Sequence, residues 1–159
     1  PAIFFFLGVI QMEIGKLNTK KAAETGAFMQ LTHPALGHKM YFGDGTDEMG
    51  RWIDKAEKPK QVGLTVRGFE SPTVQEELRL LQKKAAKSKK DDDGDIDDDT
   101  ERGLKLVCSL VTAFHGLYRD GEALKATEDD KRFFFGQSDD LVGQVTAFAR
   151  ERVNFYKAE

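Results

Sequence analysis

A chain of 159 residues, 40% of them hydrophobic, can bury one core or two small subdomain cores and no more. A charged fraction of 32% at a net charge of −3 gives no overall attraction to nucleic acid or an anionic membrane, so such a partner would have to be held by a local patch. The only cysteine, Cys108, excludes an internal disulfide; it falls in an apolar helical pattern, which predicts a buried thiol and a reducing, cytoplasmic setting.

The first ten residues are strongly apolar but too short to span a bilayer, which takes about 20 residues, and they lack the basic start of a secretory signal. Two readings compete for residues 1–11. In one, Leu7-Gly8-Val9-Ile10-Gln11 before Met12 is translated leader DNA, because the codons TTA-GGA-GTN-ATH-CAR-ATG contain the ribosome-binding sequence AGGAG; in the other, residues 3–10 form an edge strand. Residues 17–26 then read as a short helix, capped by Asn18 or Thr19 and stopped by Gly26. Residues 27–32 alternate Met29 and Leu31 against Phe28 and Gln30. His33-Pro34-Ala35-Leu36-Gly37 supplies a turn before residues 39–42, which makes a hairpin. After a loop at residues 43–47, residues 61–68 read as a third strand with Val62, Leu64 and Val66 on one face.

Ser71 and Pro72 start a helix in which Val74, Leu78, Leu81 and Ala85 recur at helical spacing to about Lys87. The acidic run from Asp91 to Asp99 repels itself and reads as a solvated linker. Beyond it, Leu104, Val107, Cys108, Val111, Phe114 and Leu117 share one side of a predicted helix, widened by Leu106 and Leu110. Residues 118–122 are a turn. Ser138 caps a final helix with Asp139 and Asp140 in its first turn, an inward stripe of Leu141, Val145, Phe148 and Phe155, and Arg150, Arg152 and Lys157 near its end. The expected class is α+β: a small antiparallel sheet in the N-terminal half and an antiparallel helix pair in the C-terminal half. The segments are 1–11 leader or edge strand, 12–70 sheet subdomain with its short helix, 71–90 connecting helix, 91–100 acidic linker and 101–159 helical subdomain.

Motifs that would carry catalysis or a cofactor are not found. Asp91, Asp93 and Asp95 match the first alternating ligands of a calcium loop, but Ile96 stands where glycine is needed and Arg102 where a bidentate Glu is needed. His33, His38 and His115 lack the spacing of a zinc site, no nucleophile elbow occurs, and Gly43-Asp44-Gly45 is no phosphate loop. Neither enzymatic activity nor cofactor nor metal is therefore expected. A weak nucleic-acid alternative uses Arg79, Lys83, Lys84, Lys87, Lys89 and Lys90, opposed by the neighbouring aspartates and the lack of interleaved aromatics. Phe133, Phe134 and Phe135 are consecutive and cannot all face one core. With Phe148, Phe155 and Tyr156 they are the candidate partner-binding residues, although a buried linker that packs the three partly is an equal reading.

The run Leu17-Asn18-Thr19-Lys20-Lys21-Ala22-Ala23-Glu24-Thr25-Gly26, continuing to His33-Pro34, resembles the opening of small proteins encoded in the tail gene clusters of long-tailed, siphovirus-like phages and prophages. Val62-Gly63-Leu64-Thr65-Val66-Arg67-Gly68 with Ser71 resembles their second segment, Asp120-Gly121-Glu122-Ala123-Leu124 their late turn, and Arg152-Val153-Asn154-Phe155 the end of their last helix. The order of these motifs carries the resemblance across most of residues 13–159. It implies a tail assembly chaperone in the bacterial host cytoplasm that binds the tape measure protein and/or the major tail protein of the tube during virion morphogenesis, with self-association as a further option. A structural component of the tail or head is the alternative. The chain departs from the pattern in its N-terminus, in residues 43–60, and at Phe114-His115-Gly116, where a tryptophan is common.

Overall fold

A computed structural model describes residues 11–88 and 96–156. Both readings of residues 1–10 lie outside the described part, as do Lys89, Lys90, residues 91–95 and Lys157. The fold is α+β. A 3-10 turn, Ile14–Leu17, leads into helix α1, Thr19–Thr25, where the Asn18 side chain accepts from the Lys21 N–H at 3.0 Å. Asn18 is thus the cap, and Gly26, at φ +84°, ends the helix.

Strand β1, Ala27–Gln30, then runs into the expected hairpin: Thr32 bridges Lys39, and the Met40 N–H donates to the Leu31 carbonyl at 2.9 Å. The short strands β2, Tyr41–Phe42, and β3, Lys60–Gln61, pair at the base of the loop of residues 43–60. That loop is folded around Trp52, whose indole N–H donates to the carbonyls of Asp54 and Glu57 at 2.8 and 2.7 Å. Strand β4, Gly63–Val66, lies at the centre of a three-stranded antiparallel sheet. Met29 and Leu64 face each other on its inner side, and Leu31, Val62, Leu64 and Val66 are buried, as their alternation requires.

The third strand corrects the sequence reading. Helix α3, Ile96–Leu110, stops before Val111, and residues Val111–His115 form strand β5 against β4, with Leu64 opposite Phe114. The sheet therefore draws a strand from the C-terminal half, and Val111, Phe114 and His115 are strand residues rather than helical ones. Arg67 supplies the physical reason. Its backbone N–H donates to the Leu110 carbonyl at 2.6 Å and its guanidinium to the Ser109 carbonyl at 3.2 Å, so two carbonyls at the end of α3 are satisfied by the residue that follows β4 instead of another helical turn. The helix also begins at Ile96, inside the acidic run read as a linker.

Helix α2, Pro72–Ser88, starts as expected at Ser71 and packs on α3. Strands β6, Tyr118–Arg119, and β7, Glu122–Ala123, form a hairpin closed by Asp120 and Gly121 at φ +51° and +81°, the signature of a type I′ turn. The phenylalanine run is not a linker but the end of helix α4, Glu128–Phe135, which Thr127 caps and Arg132 braces through Glu128 at 2.9 Å. Helix α5, Asp139–Arg150, is capped by Ser138 and buries Leu141, Val145 and Ala149. It ends before Arg152, so Phe155 belongs not to its stripe but to a following 3-10 turn, Arg152–Phe155. Helices α3, α4 and α5 share one core with the inner face of the sheet. Gln144 of α5 ties the helices to the hairpin by bonding both the N–H and the carbonyl of Thr32, at 3.0 and 2.8 Å.

Candidate functional site

A surface formed to receive another molecule surrounds the C-terminal 3-10 turn. Glu151 breaks α5 with an extended backbone, and the Asn154 amide donates back to the Phe148 carbonyl at 3.0 Å, which folds the turn under the helix end. Phe155 is thereby placed edge-on against Phe148, their ring centroids 5.8 Å apart, and against Gly68 between β4 and α2. Glycine is required there: a Cβ at residue 68 would stand 2.9 Å from the Ala23 Cβ and 3.0 Å from the Phe155 ring. The Gly68 N–H donates to the Ala23 carbonyl at 3.0 Å and the Phe69 N–H to the Ala149 carbonyl at 3.2 Å, so α1, the β4–α2 connection and α5 are pinned together below the turn.

Two depressions open on either side of Phe155 and Tyr156. One, of about 350 Å³, has Ala23, Phe69 and Ala149 in its walls; the other, of about 270 Å³, runs between the turn and α1 past Gly15, Ala22 and Gly26. Tyr156 is 43% exposed on the ridge between them, and the exposed Ile14 and Leu17 belong to the turn that borders the second. Among the described residues the only carboxylate of the first depression is Glu70, which accepts from the Thr19 hydroxyl and pairs with Arg152. Those bonds hold its carboxyl below the usual range, the Thr19 hydroxyl contributing most. The remaining charged side chains among the described residues of the two linings are Lys16, Lys21, Arg150 and Arg152, all exposed.

The aromatic candidates thus separate. Phe148, Phe155 and Tyr156 come together at this site. Phe134 and Phe135 do not reach a surface: at 4% and 3% exposure they are core residues, because helix α4 turns both toward β5 and α5, with Phe134 packed edge-on against Phe114 at 5.2 Å. Phe133 alone of the three faces out, at 38% exposure, and the Arg119 guanidinium covers its ring at 4.0 Å. On α2, Lys83, Lys84 and Lys87 are exposed, while Arg79 is held by Glu76 at 2.6 Å.

Other reactive side chains are occupied structurally. Cys108 is buried and its thiol is pushed up to about 11 by burial, which keeps it protonated and unreactive at neutral pH. His33 accepts from the N–H groups of Ala35 and Leu36 and stacks on His38, and His115 bonds the Thr65 hydroxyl at 2.8 Å. Among the described residues no group of three or more His, Cys, Asp or Glu could hold a metal ion, and no helix is long and apolar enough to cross a membrane. No family model matches the chain, and no match is found among curated proteins or solved structures.

Proposed function

We propose that this chain is a non-enzymatic phage tail assembly chaperone of the bacterial host cytoplasm, binding the tape measure protein, the major tail protein of the tube, or both, while the tail is built. The observation that carries this reading is the aromatic ridge of Phe155 and Tyr156, with an apolar depression on each side and exposed cations at the rim. A protein that keeps a long helical polypeptide from aggregating needs such an adhesive surface and needs no reacting groups. The order of the tail-cluster motifs along residues 13–159 supports the same reading. It also bears on the site, since the motif Arg152-Val153-Asn154-Phe155 forms the ridge and Gly68 of the second motif supports it.

Co-expression with the tape measure protein of the same gene cluster tests the proposal. The expected result is a several-fold rise in soluble tape measure protein and its co-purification with this chain. Unchanged solubility with no co-purification would reject the chaperone reading, and stoichiometric recovery of the chain in purified particles would replace it with that of a virion component.

A further inference from the structure

The ridge and its two depressions also specify the chemistry of what they bind. Among the described residues the walls are made of helices α1 and α5, turns and the β4–α2 connection; none of the described strands lines them, so these walls offer no strand edge to extend. An occupant that keeps its own backbone bonds satisfied suits such walls, and an α-helix does so. The rim adds a sign. On a chain of net charge −3, the described residues of the linings include Lys16, Lys21, Arg150 and Arg152 and, among them, the single carboxylate Glu70, which Arg152 and Thr19 already engage. A basic occupant would be repelled and a neutral one would leave Lys16, Lys21 and Arg150 unused.

We propose that this surface is a docking site for an acidic amphipathic helix, with its apolar stripe against Phe155 and Tyr156 and its Asp or Glu flanks against Lys16, Lys21, Arg150 and Arg152. The assignment deepens the chaperone reading and rests on it only for the identity of the client. Co-purification that fails while the acidic helix still binds rejects the tape measure protein as client and leaves the surface standing. Co-purification that persists without acidic-helix binding rejects the surface alone.

The test uses the full chain and two fluorescein-labelled helical peptides that share one Leu/Ala stripe, flanked in one by Glu and in the other by Lys. Fluorescence anisotropy is expected to show the Glu peptide binding at least about tenfold tighter, with an advantage that shrinks as salt rises. Reversing two rim cations with Lys21→Glu and Arg150→Glu should transfer the preference to the Lys peptide, and Tyr156→Ser should weaken both. Equal affinities, no binding of either peptide, or an unchanged preference after reversal would overturn the assignment. So would a dimer in sedimentation that Tyr156→Ser dissociates, which would seat a second copy there, or markedly tighter peptide binding on deletion of residues 1–10, which would make that segment the occupant. The comparison of the two peptides on the unsubstituted chain decides the matter even where a variant fails to fold.

Discussion

Glu24 joins two elements that sequence proximity does not. Its carboxylate accepts from the hydroxyls of Ser71 and Thr73 and from the Thr73 N–H at 3.2 Å, so a residue of α1 caps the start of α2 while Arg67 stands 3.8 Å away. These contacts, the Ser71 hydroxyl foremost, hold the Glu24 carboxyl below its ordinary value of 4.5. A lowered folded value means that the stabilisation is present above the unfolded value and is lost as pH falls through the folded one. Glu24→Gln is therefore expected to cost about 1 kcal/mol near neutral pH, toward the low end for a helix cap because the side chain is partly in water. Urea melts of the two proteins should converge as the pH falls below 4.5 and through the lowered folded value, and a gap that stays constant with pH would show that the charge is not involved. The local caps Asn18, Ser71 and Ser138 were readable in the sequence because each acts within a few residues of itself. Glu24 was not, since its partners lie 47 and 49 positions away. The same distinction divides the site: Phe155 and Tyr156 stand out as candidate partner-binding aromatics in the sequence, whereas the seat of Phe155 against Gly68, itself close to Ala23, does not.

At the scale of elements, the junction of α3 and β5 was the hardest to read because two periodicities coincide there. Leu104, Val107, Cys108 and Val111 fit one helical stripe, and the later Phe114 and Leu117 continue that spacing by accident, although Val111 and Phe114 are buried or half-buried against β4 and α4. The β-branched pair Val111-Thr112 was a strand signal that the helical stripe outweighed. A single substitution separates the two states. Ala113 lies opposite Thr65 and is only half-buried, so Ala113→Val should be neutral or stabilising by about 0.5 kcal/mol in a strand. In a continued helix it would cost about the same amount. Thermal melts give the sign, and carbon chemical shifts for residues 111–115 should be extended; helical shifts there would remove the strand. Elements set by local chemistry, namely α1, α2, the hairpin after β1 and the start of α5, matched their sequence signals, whereas α4 was missed because its acidic first turn and three phenylalanines carry no apolar repeat.

For the whole molecule, the provenance of β5 decides how the chain can fold. The central strand β4 takes one neighbour, β1, from the same half and the other, β5, from beyond the connecting helix and the acidic run. The buried side chains of β1 and β4 in turn find their cover on helices that follow: Leu64 and Val66 share one cluster with Leu110, Phe134, Leu141 and Val145. A fragment of residues 12–90 would keep the hairpin and β4 yet expose that whole inner face, and residues 96–159 would keep three helices with β5 left unpaired. Neither piece can bury enough apolar surface to offset the entropy of ordering it. Both fragments are thus expected to lack cooperative melting alone, and mixing them should restore the far-UV spectrum and a single transition, since the break falls between α2 and α3. Independent folding of residues 12–90 would mean that β1 and β4 are stable without β5 and that the molecule is two units rather than one. Complementation would also bear on the groove, because its floor joins Gly68 and Phe69 from the first piece to Ala149 and Phe155 from the second. The docking surface then exists only when the two halves have closed on one another, and peptide binding should appear with the same midpoint as the restored fold.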